Sequence, residues 1–351
     1  MKRIVIGITF PLLLLLVACS AGGGLAGRKP PVVRLMTHDS FDMTAELLAD
    51  FEAESGIHVE VFKGGDGGEI VNKAVLSKDV PLADVLYGVD NTFLSRALDN
   101  DLFLSYDSPV LADIADSLKL DPENRALPVD FGDICLNYDV SWFAERGLLP
   151  PEGLAALIDP AYSGLTVVQN PATSTPGLGF LLTTIGTYGE DGYLDYWRQL
   201  VSNDVLVVND WETAYYSYFS AASDGDRPIV VSYASSPVAE MYYAETMPDR
   251  PPTAAVVADG TCFRQIEFAG ILRGTPVEKE ARQLIDFLLS RRFQEDIPLK
   301  MFVYPANETA DLPQVFEQYS RIPVAPVQLD PESIATNREA WIQAWTEVVL
   351  R

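Results

Sequence analysis

The chain predicts an α/β fold built around a parallel, doubly wound sheet, with length enough for two lobes. Three observations carry this reading. β-branched runs alternate with helical segments through the first hundred residues after the leader. The apolar runs are short and unbroken, as buried parallel strands require, and about 320 residues remain beyond the leader and the glycine-rich stretch that follows it, where a domain usually takes ~100 to 200.

The elements follow in order. Residues 32–37 form a β-branched strand, Asp42 caps a helix whose Leu47, Leu48 and Phe51 share one face, Gly56 stops it, and 57–62 is the next strand. The alternation then repeats with a helix at 69–76, a strand at 83–87, a helix at 93–98 and a strand at 134–138. Further strands are expected at 165–168 and 229–231, with a helix at 180–188 between them. The last helix, 331–350, starts at an Asp330 cap and lines up Ile334, Trp341, Ile342, Trp345 and Val348, so it packs.

The leader fixes where the protein works. Lys2 and Arg3 precede an apolar run at 4–17, and Leu16-Val17-Ala18-Cys19 reads as the end of a lipoprotein signal peptide, residues 1–18, with the lipid on Cys19. The apolar run is shorter than the ~20 residues that span a bilayer and holds Pro11. Residues 19–31, rich in glycine and proline, read as a flexible tether. The protein is expected to be exported and lipid-anchored at the outer face of the cytoplasmic membrane. A formal charge of −25 excludes general affinity for nucleic acid or anionic lipid. It suits a cationic ligand, and solubility accounts for it equally well. Beyond Cys19 the cysteines are Cys135 and Cys262, either a disulfide or two buried thiols.

Ligands on doubly wound sheets sit at the carboxyl ends of strands. Three polar strand ends qualify: Thr37-His38-Asp39-Ser40, Gly88-Val89-Asp90-Asn91, and the stretch from Gln169 to Gly179. In the last, Ser174 or Thr175 is placed to cap a helix, Pro176 suits its first turn, and the glycines would let backbone N–H groups approach a ligand. Gly64-Gly65-Asp66-Gly67-Gly68 fits no dinucleotide or P-loop spacing and reads as a turn. Aromatic residues gather at Trp211, Tyr215, Tyr216, Tyr218 and Phe219, and again at Tyr233, Tyr242 and Tyr243. Ser232-Tyr233-Ala234-Ser235-Ser236-Pro237, directly after a strand, looks like a ligand shelf. His38 and His58 are the two histidines, no cysteine pair has zinc spacing, and no hydrolase elbow or His-Glu-x-x-His occurs.

Taken in order, several of these segments resemble a known family. They are Thr-x-Asp-Ser-Phe at 37–41, Asp90-Asn91, Ser-Thr-Pro-Gly-Leu-Gly at 174–179, Trp-x-x-Ala-Tyr at 211–215, Ser-Tyr-x-x-Ser-Pro at 232–237, Tyr304-Pro305, and Arg-x-Ala-Trp at 338–341. The same order is seen in the thiamine-binding proteins of bacterial ABC importers. The resemblance implies a periplasmic-binding-protein fold of the type II, two-strand-hinge kind, with the ligand cleft between two lobes. It implies a non-enzymatic protein without a cofactor, a monomer that delivers thiamine or its phosphates to a membrane permease driven by an ATPase. The ligand contacts it carries over are Asp90, Asn91, Ser174, Thr175, Trp211, Tyr233, Ala234, Ser235 and Ser236, to which Asp39, Tyr215, Phe302 and Tyr304 are added. Where some members have a tryptophan before the Tyr-Pro, this chain has Phe302.

The chemistry of the ligand agrees. A flat aminopyrimidine and a permanently cationic thiazolium call for aromatic faces and a carboxylate, and Asp90 offers the latter. Lobe 1 is expected at 32–129 plus 264–351, with the C-terminal segment free to span both lobes, and lobe 2 at 130–263. Cys135 and Cys262 then fall where the chain leaves and re-enters the first lobe, and a disulfide is expected there. The alternatives are a binding protein of the same fold for another cation, such as a polyamine or chelated iron, and a secreted hydrolase.

Overall fold

The computed structural model describes residues 30–65, 67–244 and 248–351. The signal peptide, the lipidation site Cys19 and nearly all of the tether lie outside the described residues. Residues 31–351 form one compact unit, and no described helix is long and apolar enough to cross a membrane.

Eleven strands among the described residues share one hydrogen-bonded sheet. They are β1 (Val32–Thr37), β2 (His58–Lys63), β3 (Val85–Asp90), β4 (Phe103–Leu104), β5 (Leu127–Asp139), β6 (Thr166–Gln169), β7 (Leu206–Val208), β8 (Ile229–Tyr233), β9 (Thr253–Val256), β10 (Phe263–Leu272) and β11 (Tyr304–Pro305). The main path runs β2-β1-β3-β10-β5-β8-β6-β7. β1 pairs in parallel with β2 and β3, and β6 in parallel with β7 and β8. β5 and β10, however, run antiparallel to each other and to their neighbours. The sheet is therefore mixed rather than parallel throughout, because two long strands pass through its centre in opposite directions.

Two main hydrophobic clusters lie at either end of this sheet. The first draws on residues between Val33 and Val129 and between Ile266 and Ala306; the second on residues between Ile134 and Phe263 and on the C-terminal Ile334, Trp341 and Trp345. β5 and β10 are the elements that hand over from one to the other. Leu127 and Val129 belong to the first cluster and Ile134 and Leu136 to the second, while Phe263 and Ile266 divide the same way on β10. At this crossing Cys135 and Cys262 form a disulfide with Cα atoms 4.4 Å apart.

The helix ends follow local chemistry, with one change. The first helix, Ala45–Ser55, ends on Gly56 at φ 70° as expected, but Thr44 rather than Asp42 stands at its start, and Asp42 pairs with Lys300 at 3.5 Å. The last helix, Pro331–Val349, is capped by Asp330, whose carboxylate accepts from Ser333 N at 3.1 Å. Trp345 meets Trp197 edge to face at 5.4 Å. From the same helix Arg338 reaches the first cluster, donating to Thr92 O at 3.0 Å and lying 4.2 Å over the Phe93 ring.

Candidate functional site

The second-cluster side of the crossing presents aromatic rings. β8 ends at Tyr233, and the chain turns into the helix Ser236–Tyr243, with Pro237 in its first turn. Trp211 opens a short helix capped by Asp210. One face of its ring stacks on Tyr215, with centroids 4.9 Å apart and planes 27° off parallel, and Tyr216 meets it edge-on at 5.5 Å. Its Nε1 donates to Ser232 Oγ at 2.9 Å, and Ser232 Oγ lies 2.8 Å from Ser236 Oγ. Tyr215 is anchored in turn by donating to the partly buried Glu240, whose other oxygen accepts from Thr253 Oγ1 at 2.6 Å. Burial raises the Glu240 carboxyl above its ordinary value, and burial together with the nearby Glu240 charge raises the Tyr215 phenol well above its own. The tryptophan is thus fixed both at its edge and on one face.

Ala234 N and Ser235 Oγ tie the same turn to neighbouring chain. Ala234 donates to Asp133 O at 2.8 Å, and Ser235 donates to Phe302 O at 2.6 Å. Phe302 itself has φ 55° and sits 5.4 Å from Tyr243 and 5.9 Å from Tyr242, centroid to centroid.

The first-cluster side is built differently. Asp90, at the end of β3, is buried, and its Oδ1 accepts both Thr92 N at 2.7 Å and Thr92 Oγ1 at 2.5 Å. Asn91 is spent on β10: its Nδ2 donates to Arg264 O at 3.0 Å and its Oδ1 accepts from Ile266 N at 3.1 Å. Asp39 is exposed, and its Oδ1 accepts from Gly65 N at 3.1 Å. These three stand at neighbouring strand ends but are held mainly by backbone.

The Ser174–Gly179 stretch combines both characters. Ser174 occupies the position before the helix Thr175–Tyr188 without a side-chain cap bond. The glycines here serve packing. A Cβ on Gly177 would meet Gln169 O at 2.6 Å, and one on Gly179 would meet Ile134 Cδ1 at 2.4 Å. They let the helix start lie close against β6 and β5, and the expectation that they open backbone to a ligand has no support in these contacts.

Along β5 and β10 the pleat sorts side chains onto two faces. Asp130 and Gly132 on β5 stand opposite Glu267 and Gln265 on β10, and Glu267 also stands opposite Asp90 on β3. On the other face Phe131 and Asp133 stand opposite Ile266 and Arg264, and Tyr304 pairs with Phe131. Tyr304 therefore stacks on Phe131 at 5.3 Å and lines a cavity of about 340 Å³ with Arg264, away from the face that carries Glu267. Arg264 holds Asp133 through two 2.9 Å hydrogen bonds.

Sequence reasoning missed the polar line on the first of these faces. Tyr233 Oη donates to Gln265 Oε1 at 3.3 Å, Gln265 Nε2 donates to Glu267 Oε1 at 3.0 Å, and Glu267 Oε2 lies 3.1 Å from His38 Nε2. Beside it Tyr87 donates to Asp130 Oδ2. Burial, reinforced by the Glu267 charge, pushes the Asp130 carboxyl well above the carboxylate range. One clue stood in the sequence: Gln265 and Glu267 interrupt the apolar run of β10 at a spacing of two.

The arrangement brings ring faces, hydroxyls and carboxylates together around β5 and β10. The family model described as bacterial extracellular solute-binding protein matches residues 80–324. The thiamine-binding periplasmic protein of Escherichia coli (strain K12) is 30% identical over 326 residues, 92% of this chain and 94% of its own. A solved periplasmic thiamin binding protein superposes with a TM-score of 0.76 at 27% identity, covering 92% of this chain and 97% of that one. Iron-bound HitA from Pseudomonas aeruginosa superposes with a TM-score of 0.73 at 19% identity, covering 91% and 99%, a likeness of fold alone. The fold is thus that of the two-lobed periplasmic binding proteins, and β5 and β10 are the two long antiparallel strands that join its two main hydrophobic clusters.

Proposed function

The chain belongs to the bacterial extracellular solute-binding protein family, and from that premise we propose that it captures thiamine, or a thiamine phosphate, and hands it to the permease of an ABC importer. It is a solute-binding protein and not an enzyme. The observation that carries the thiamine reading is the Trp211 ring, backed on one face by Tyr215 and pinned at Nε1 by Ser232. A ring with one face covered and its edge tied offers its other face for stacking. Stacking and cation–π contact with an aminopyrimidine or thiazolium contribute about 0.5 to 2 kcal/mol each. Tyr233 adds a second ring, and Ser174, Thr175, Ser235 and Ser236 bring hydroxyls and helix-start amides suited to the hydroxyethyl or phosphate end. Asp90 and Asn91 shape the facing wall. The hand-over between the two hydrophobic clusters along β5 and β10 supports lobe boundaries near 130 and 264.

The Leu16-Val17-Ala18-Cys19 sequence supports anchoring by a lipid on Cys19. Cys19→Ala is expected to release the protein from the membrane fraction while leaving ligand binding unchanged. Equal membrane retention of the variant would favour an uncleaved helix.

A thermal-shift panel tests the ligand. Thiamine and its phosphates are expected to raise the melting temperature by mass action, as a ligand bound only to the native state does. A shift from spermidine or ferric citrate, with none from thiamine or its phosphates, would transfer the assignment to another cation.

A further inference from the structure

We infer that Glu267 is the carboxylate that meets the fixed positive charge of the ligand, held in place by Gln265 and His38. The inference rests on the thiamine reading and adds a residue that the strand-end motifs do not contain.

Three carboxylates stand in register across the middle of the sheet, Asp90 on β3, Glu267 on β10 and Asp130 on β5. They are not equivalent. The row is not equally open to solvent: Asp90 and Asp130 are 1% and 0% exposed, whereas the Glu267 side chain keeps 15%. Asp90 Oδ1 already accepts two donors from Thr92. Asp130 Oδ2 accepts from Tyr87, and its buried Oδ1 has no hydrogen-bond partner, an arrangement that suits a carboxylic acid better than a bare charge. Glu267 is the one carboxylate of the row that is both reachable and held, with Gln265 on one oxygen and His38 on the other.

Its placement also ties charge to ring. Gln265 accepts from Tyr233 with its amide oxygen and donates to Glu267 with its amide nitrogen. The proposed stacking ring and the proposed counter-charge are therefore held at a fixed spacing by one side chain. A thiamine molecule places its own flat ring and its cation at a fixed spacing, joined by a single methylene. Geometry of this kind selects a guest that carries both, and a neutral ring alone gains nothing from Glu267.

The test separates charge recognition from simple support of Tyr233. Purified wild type and Glu267→Gln are titrated calorimetrically with thiamine and with 4-amino-5-hydroxymethyl-2-methylpyrimidine, the neutral half of the molecule. The expected result is a tenfold or larger loss of thiamine affinity in Glu267→Gln, with pyrimidine affinity within about twofold of wild type. Glu267→Asp, which keeps the charge on a shorter arm, is expected to recover part of the loss and covers the case in which the glutamine variant folds poorly. Equal losses for both ligands, no loss for either, or an aspartate variant as weak as the glutamine one would each overturn the inference. If wild type itself ignores thiamine, the thiamine reading fails first, and the two failures are told apart.

Discussion

The two walls that meet at the crossing strands hold their polar groups in opposite ways. On the second-cluster wall, side chains hold side chains: Trp211 rests on Tyr215, Tyr215 on Glu240, Glu240 on Thr253, and the tryptophan edge on Ser232. On the first-cluster wall, side chains mainly hold backbone: Asp90 closes a turn with Thr92, Asn91 bonds the backbone of β10, and Asp39 braces Gly65. A polar strand end therefore need not present its polar atoms to solvent or to a ligand; at Asp90 and Asn91 they are engaged by Thr92 and by the backbone of β10. One wall is a prepared surface, the other largely a frame.

Mutations should fall on the two walls unequally. The largest effect is expected from Asn91→Ala, which strips two hydrogen bonds from β10 and leaves the buried Ile266 N–H without its side-chain acceptor. A stability loss of about 2 to 4 kcal/mol follows from the cost of unmade buried bonds, read as a lower denaturation midpoint. A variant that melts like wild type but binds weakly would move Asn91 to the ligand.

Trp211→Ala should do the reverse. Truncating a ring at a buried hot spot costs about 1 to 3 kcal/mol of affinity, while the melting temperature of the unliganded protein changes little. Normal binding with early melting would place the ring in the core and erase the contrast between the walls. A smaller version of the same test is Ser232→Ala, which frees the tryptophan edge and should weaken binding by about 0.5 to 1.5 kcal/mol, the usual net worth of one such bond.

The smallest effect concerns pH. Burial raises the carboxyls of Asp130, Asp133 and Glu240 above their ordinary values. The folded chain therefore keeps protons that the unfolded chain releases. The stability tied to these protons is complete below about pH 4, where unfolded carboxylates also protonate, and is lost as pH rises through each raised value. Asp130→Asn mimics the protonated acid and should flatten the decline of melting temperature between acid and neutral pH. A steeper decline in that variant would mean that the native state prefers the charged aspartate.

Much of this was legible in the chain itself. β1, β2, β3, β6 and β8 lie close to their expected runs, because short β-branched stretches bounded by turns are local signals. Trp211, Tyr215, Tyr233, Ser235 and Ser236 were named from sequence, and the structure brings them together around Ser232 and Phe302. The mixed sheet was not legible, since strand direction through the crossing depends on pairing far along the chain. For the same reason Glu240 and Glu267 stayed hidden: each gains its meaning from partners more than ten residues away, Thr253 for one, His38 and Asp90 for the other. The packing role of Gly177 against Gln169 was not legible, because a glycine needed for close helix–strand packing looks, in one dimension, like a glycine needed by a ligand.

Calorimetric titration of the purified wild-type protein with thiamine decides whether thiamine is the ligand. Saturable one-to-one binding with a negative heat-capacity change is expected, as burial of a flat apolar ring against Trp211 requires. An absence of heat from thiamine and its phosphates at any temperature, alongside tight binding of ferric ion or spermidine, would contradict it.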